Sequence, residues 1–278
     1  QLGRTPKKIL ERKEYVPIDG VLAELQSWLE IDGDADYVTL SGSGEPTLHS
    51  DFGRVLQFLK KKAIPSVLLT NGSMLRLAEV RKAASSADIV KVSFSAWDQR
   101  SFGWINRPHP HLQFDEIIEG IKTFRKQFAG QLWMEVFILL GINSGTDHIR
   151  KIASHIKEIK PDRIHLNTVI RPPAEEFAAP VQPAILAPLA GMFDPPAEVI
   201  AEFNANSEKH IVATEDSILS LLQRRPCTSG QIASAYGMHI TEVSKYLGDL
   251  MRTGYIHEKR EKGAIYYMAT GISHKQCA

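Results

Sequence analysis

The sequence predicts a parallel α/β fold, either a barrel or an open sheet, followed by a small module of three helices and a β-hairpin. Two observations carry the first part. Between residues 17 and 169, five short apolar runs alternate with segments of helical periodicity, and a polar or glycine-bearing stretch follows each run. A third observation carries the second part: from Thr214 onward the pattern changes to short helices and two adjacent strand-like runs.

Ile18, Val21, Leu22, Leu25 and Leu29 recur at three- and four-residue steps, which predicts a helix over 17–31 with one buried face. Residues 37–40 read as a short strand, 41–46 as a turn that glycine permits and proline stiffens, and 51–63 as a helix. The unit then repeats, with strands at 66–70, 89–94, 133–140 and 163–169 and helices at 75–85, 114–128 and 147–159. Strands apolar along their whole length are expected to be buried on both faces, and helical crossovers force parallel pairing with a right-handed turn. The strand ends, at 41–46, 70–73, 95–98, 141–144 and 168–173, form the edge where ligands bind in barrels and wound sheets. Seven prolines between Arg171 and Pro196 argue against one continuous helix there, so a connector wrapping the first domain is expected from about residue 171. Helices at 215–224, 229–236 and 241–252, then strands at 255–260 and 264–269 joined across Glu261-Lys262-Gly263, follow the order of a winged helix-turn-helix. Two domains result, 1–203 and 214–278.

With 278 residues, 43% of them hydrophobic, the chain can bury one large core or two smaller ones. Its 33 basic and 32 acidic side chains nearly cancel, so no global field draws it to nucleic acid or to an anionic membrane. The two cysteines, Cys227 and Cys277, form neither a disulfide framework nor a metal-ligand spacing, which fits a reducing cytoplasm. No apolar run approaches the roughly 18 residues of a membrane span, so neither a membrane span nor a secretory leader is expected. The chain opens on Gln1, which admits a processed or truncated start.

Ser43-Gly44-Glu45-Pro46, between a strand and a helix, resembles the Gly-Gly-Glu loop of radical S-adenosylmethionine enzymes, with serine in the first place. Glycine there lets the backbone approach a ligand closely, and a carboxylate suits an ammonium group. The next strand ends, Thr70-Asn71-Gly72 and Val92 through Asp98, line up in that family's order. Ile105 through His109, Leu140 through Asn143 and His165 through Pro173 are similar to an iron–sulfur oxidoreductase branch related to wyosine-type tRNA-modifying enzymes. The resemblance covers roughly residues 1–203 and implies a partial (β/α) barrel whose first strand is missing.

The same resemblance implies S-adenosylmethionine as cofactor, held by Ser43, Gly44, Glu45, Pro46, Asn71, Ser93, Ser95, Asp98 and Asn143, with Arg107, Asn167 and Arg171 lining a substrate cavity. It also implies a 4Fe–4S cluster, but the family's CxxxCxxC triplet is absent, and Gln1 to Arg4 resembles the residues that follow its third cysteine. The cluster cysteines are therefore expected upstream of Gln1, and no residue of this chain is expected to bind metal. An intact parent protein would use an electron donor to generate a 5′-deoxyadenosyl radical for hydrogen abstraction from an unknown substrate, whether a small molecule, a peptide or an RNA base. This chain alone is expected to be inactive.

Structural alternatives stand beside these roles. Glu45 also suits a helix entry, Asn71 a turn, Ser93 and Ser95 inward packing, Arg107 a solvated loop and Arg171 an ion pair. Glu242 and Asp249 balance Lys245 and Arg252 on the recognition helix, so the winged helix is expected to dock a partner or substrate ahead of nucleic acid, with Lys259, Arg260 and Lys262 available to phosphates. The competing reading of the whole chain is a ligand-sensing transcriptional regulator with a degenerate barrel and a DNA-binding winged helix. A plain α/β hydrolase or aldolase using Glu45 and a histidine is the third.

Overall fold

The structure, a computed structural model, describes residues 7–31, 35–42, 44–169, 177–200, 214–236, 238, 240–261 and 264–270. They fall into two compact units, one running to Val169 and including 177–200, the other beginning at Thr214.

The first unit is built on six parallel strands: β1 (Val38–Leu40), β2 (Ser66–Thr70), β3 (Ile89–Ser93), β4 (Gln131–Ile138), β5 (Arg163–Thr168) and β6 (Glu198–Val199). Their spatial order is their chain order. A sheet that adds each strand on the same side winds in one direction, as a barrel does, whereas a doubly wound sheet reverses. The intervening helices are α1 (Ile18–Ile31), α2 (Phe52–Lys61), α3 (Ala78–Ala84), α4 (Gln99–Asn106), α5 (Phe114–Gln127), α6 (Thr146–Ile159) and α7 (Pro183–Ala190).

Register sorts the strand residues onto two faces. Leu68, Val90 and Leu132 share one row, and Val92, Met134 and Ile164 the next, all on the face buried beneath the helices. Phe124 and Ile121 of α5 and Ile149, Ile152 and Ile156 of α6 are buried with them. The opposite face carries Lys91, Ser93, Trp133, Glu135, Phe137, His165 and Asn167, and on β4 its residues are only half-buried or exposed. This corrects the expectation that each strand is apolar and buried on both faces: β4 alternates strictly, because only its even-numbered residues meet helices.

Three elements differ further from the sequence expectation. Residues 99–106 form α4, because Asp98 caps it through Ser101 in a reciprocal capping box. The proline-rich connector contains α7, where Pro183 occupies the first turn and so gives up no helical hydrogen bond, although Pro188 lies inside. β4 ends at Ile138 and not at residue 140, because the Leu139 amide turns to donate to Asn143 Oδ1 at 2.7 Å.

The second unit holds α8 (Glu215–Arg224), α9 (Ser229–Tyr236) and α10 (Ile240–Arg252), then β7 (Ile256–Glu261) paired antiparallel with β8 (Ala264–Ala269). Thr214 and Ser217 cap α8 reciprocally. Its own core is Ile218, Leu222, Ile232, Val243, Leu247, Leu250 and Ile256, with Cys227 beside them.

Candidate functional site

The loop after β1 is fastened to the end of β2 by one carboxylate. Glu45 precedes the 3-10 turn Pro46–Leu48 and caps it, Oε1 accepting from the Thr47 amide at 3.1 Å and from the Thr47 hydroxyl. The Thr70 hydroxyl also donates to Oε1, at 2.7 Å, and the Asn71 amide donates to Oε2 at 2.7 Å. From the other side Arg12 Nε donates to the Thr47 carbonyl at 3.1 Å. Burial pushes the Glu45 carboxyl above its ordinary value, while the donors from Thr47, Asn71 and Thr70 pull the other way. Glu45 is thus engaged by the chain's own donors. Gly44 stands open beside it: a Cβ built there meets nothing within 4 Å.

Asn71 turns the chain out of β2, its Oδ1 accepting from the Ser73 amide at 2.9 Å. Gly72 follows at φ +77°, and a Cβ there would lie 2.9 Å from Val92 Cγ1, so the turn requires glycine twice over.

Beyond β3 the expected ligand residues divide. Ser93 is exposed on the open face and paired in register with Glu135. Ser95 is buried and its hydroxyl accepts from the Phe137 amide at 2.9 Å. Asn143 is fully buried, and its amide donates to the Ser95 carbonyl at 3.0 Å and the Phe137 carbonyl at 2.9 Å, so it laces the ends of β3 and β4 together. Asp98 caps α4, and Arg107 ends that helix in the left-handed region at φ 48°. Asn167 is buried on the open face, its amide donating to Glu135 Oε1 at 3.2 Å and its carbonyl accepting from the Thr168 amide. Ser43 and Arg171 lie outside the described residues. The structure therefore joins Glu45 with Asn71, and Ser93 with Asn167 across Glu135, while Ser95, Asp98 and Asn143 serve the backbone.

The sequence reading missed Lys91 and Glu135. They form an ion pair on the open face, their side chains 15% and 21% exposed. Burial raises the Glu135 carboxyl, but the Lys91 ammonium and the Asn167 amide outweigh it and hold it below its ordinary value. His165, 7% exposed, packs edge-on to Trp133 at 5.1 Å, and burial followed by the Lys91 charge lowers its affinity for a proton. One signal pointed to this pair: a charged residue at the centre of each strand, with apolar neighbours on both sides.

The residues present do not fit an iron–sulfur cluster. A cubane needs three converging thiolates; Cys227 is 1% exposed in the core of the second unit, and Cys277 lies outside the described residues. Among the described residues no group of three histidine, cysteine or acidic side chains is placed to hold a metal, and no helix is long and apolar enough to cross a membrane.

Comparison with known proteins agrees with this architecture. The chain is 30% identical over 272 residues to the GTPase Obg of Brachyspira hyodysenteriae, covering 96% of this chain but only 40% of that protein. It is 26% identical over 276 residues to a UPF0026 protein of Methanocaldococcus jannaschii, covering 96% and 85% respectively. Among solved structures, a radical SAM methyltransferase from Sphaerobacter thermophilus superposes with a TM-score of 0.51 at 15% identity, over 69% of this chain and 58% of that one. Archaeal TYW1 superposes at 0.50 and 17% identity, over 77% and 72%. At such identities the likeness is one of fold. The profile of the Radical SAM superfamily matches residues 5–167, from the segment before α1 almost to the end of β5, and the chain belongs to that superfamily.

Proposed function

We propose that this chain is the S-adenosylmethionine-binding part of a radical enzyme, with the substrate held against the open face of the sheet. The observation that carries the reading is the Gly44–Glu45 loop, clamped to Thr70 and Asn71 at the carboxyl ends of β1 and β2 in a chain of this superfamily. That edge is where ligands meet one-way-wound parallel sheets. When bound, S-adenosylmethionine would supply radical chemistry once an electron donor outside these residues reduces its sulfonium.

This chain's own residues bind and orient. The backbone around Gly44 offers close approach to the methionyl group, and the Ser93 hydroxyl, which has no hydrogen bond among the described residues, offers one to the ribose. Glu45 acts by holding the loop in place, Oε1 accepting three donors of its own chain and Oε2 one. The second unit, three helices and an antiparallel pair, supports a winged helix that docks the substrate or a partner protein.

Equilibrium dialysis of the folded chain against labelled S-adenosylmethionine tests the reading. Saturable binding, displaced by S-adenosylhomocysteine and weakened by Gly44→Val, is expected. Absence of saturable binding to folded protein at millimolar cofactor would overturn it.

A further inference from the structure

The face of the sheet turned away from the helices is chemically unlike a packed barrel interior. Barrel interiors are normally filled by branched apolar side chains. Here the middle rows hold Lys91, Ser93, Glu135, His165 and Asn167, with Trp133 and Phe137 half-buried beside them. An ion pair at such depth adds little stability, because desolvating both charges offsets their attraction, and apolar residues of equal volume would hold the sheet as well. Its chemistry points to a ligand.

The charges define which ligand. Lys91 and Glu135 are in contact and opposite, and Arg163 and Glu198 pair beside His165 at 3.7 Å, so the charged side chains of the floor cancel. It therefore has no electrostatic preference for a phosphate or a polyamine, each of which would leave one charge unmatched. A molecule carrying both an ammonium and a carboxylate matches it: inserted between the two side chains, it replaces one ion pair by two, with the ammonium on Glu135 and the carboxylate on Lys91. Charge is conserved and no buried ion is stranded. Phe137, one residue pair further toward the carboxyl edge, presents a half-buried ring to whatever the head group carries.

We propose that the Lys91–Glu135 pair is the anchor for the zwitterionic head of a free α-amino acid, bound between β3 and β4 as the substrate or part of it. The proposal rests on the reading that the open face is the substrate side of a cofactor-binding sheet, and it names the substrate class for that site.

Titration calorimetry of this chain against the twenty free L-amino acids tests it, followed by the N-acetyl and methyl ester forms of any that bind. Saturable binding of at least one amino acid, lost when either head charge is removed, is expected. Glu135→Gln and Lys91→Met should each weaken it at least tenfold with an unchanged circular dichroism spectrum, and Glu135→Asp should recover part of it. If no amino acid binds, or if the N-acetyl and ester forms bind equally well, the proposal is overturned. Intact S-adenosylmethionine binding alongside either result would leave the cofactor reading standing while this one falls. Loss of S-adenosylmethionine binding in both variants would overturn the proposal in the other direction, by assigning the pair to the cofactor.

Discussion

The hydroxyl of Thr70 donates to Glu45 Oε1 at 2.7 Å, across 25 residues of chain, and makes one platform of the ends of β1 and β2. Each end alone is a turn; together they hold Gly44 where a ligand can approach its backbone. Replacing Glu45 with Gln puts an N–H donor where the site offers only donors. The expected cost is about 1–3 kcal/mol of folding free energy, read as a lowered urea midpoint at constant slope. Thr70→Val, which removes that donor and also the acceptor of the buried Gly72 amide at 3.0 Å, should cost about 1–3 kcal/mol.

Asn143 makes three hydrogen bonds to main-chain groups and is fully buried. Asn143→Ala strands the Leu139 amide and two carbonyls, so a loss of about 2–4 kcal/mol is expected by denaturant titration. A neutral result would show that water replaces the side chain and that the strand ends do not depend on it.

Gly120 lies on α5 where a Cβ would come within 2.6 Å of the Arg76 amide nitrogen and 2.8 Å of the Leu75 carbonyl carbon. That peptide unit cannot yield as a side-chain tip can. Gly120→Ala is expected to lower stability by about 1–3 kcal/mol despite alanine's better helix propensity, a sign that thermal melting reads directly.

The pH dependence of the Glu135 contribution follows from its lowered folded-state value. A depressed carboxyl stabilises the folded chain above its unfolded value, here 4.5, and that contribution disappears as pH falls through the folded value. The stability difference between the wild-type chain and Glu135→Gln should therefore be constant near neutrality and shrink as pH drops below 4.5. Denaturant titrations at several pH values check this; a difference that grows toward acid would reverse the assigned sign.

Anaerobic reconstitution of this chain with iron and sulfide should leave it without a stoichiometric 4Fe–4S signal in absorption and electron paramagnetic resonance, because Cys227 is enclosed in an apolar core. A stoichiometric cluster that Cys227→Ala abolishes would contradict the structure.

Much of both units was legible in the sequence. The repeats of strand, polar turn and helix are local patterns of period two and 3.6, and the placements at Ser66–Thr70, Ala264–Ala269 and Glu215–Arg224 agree with them to the residue. The Gly44–Glu45 turn after a strand is also a local signal. What periodicity hid was α4, whose start depends on a capping box, and α7, whose prolines read as breaks.

The sequence by itself determined the order and type of most elements, because backbone preference and hydrophobic period act within a few residues. Only the tertiary structure decided which polar groups meet. Glu45 meets Thr70, Glu135 meets Lys91 and Asn167, and Asn143 meets Ser95, through pairing registers between strands that lie tens of residues apart. A one-residue shift between β3, β4 and β5 would turn Lys91, Glu135 or Asn167 to the opposite face, and nothing local to the chain specifies that alignment.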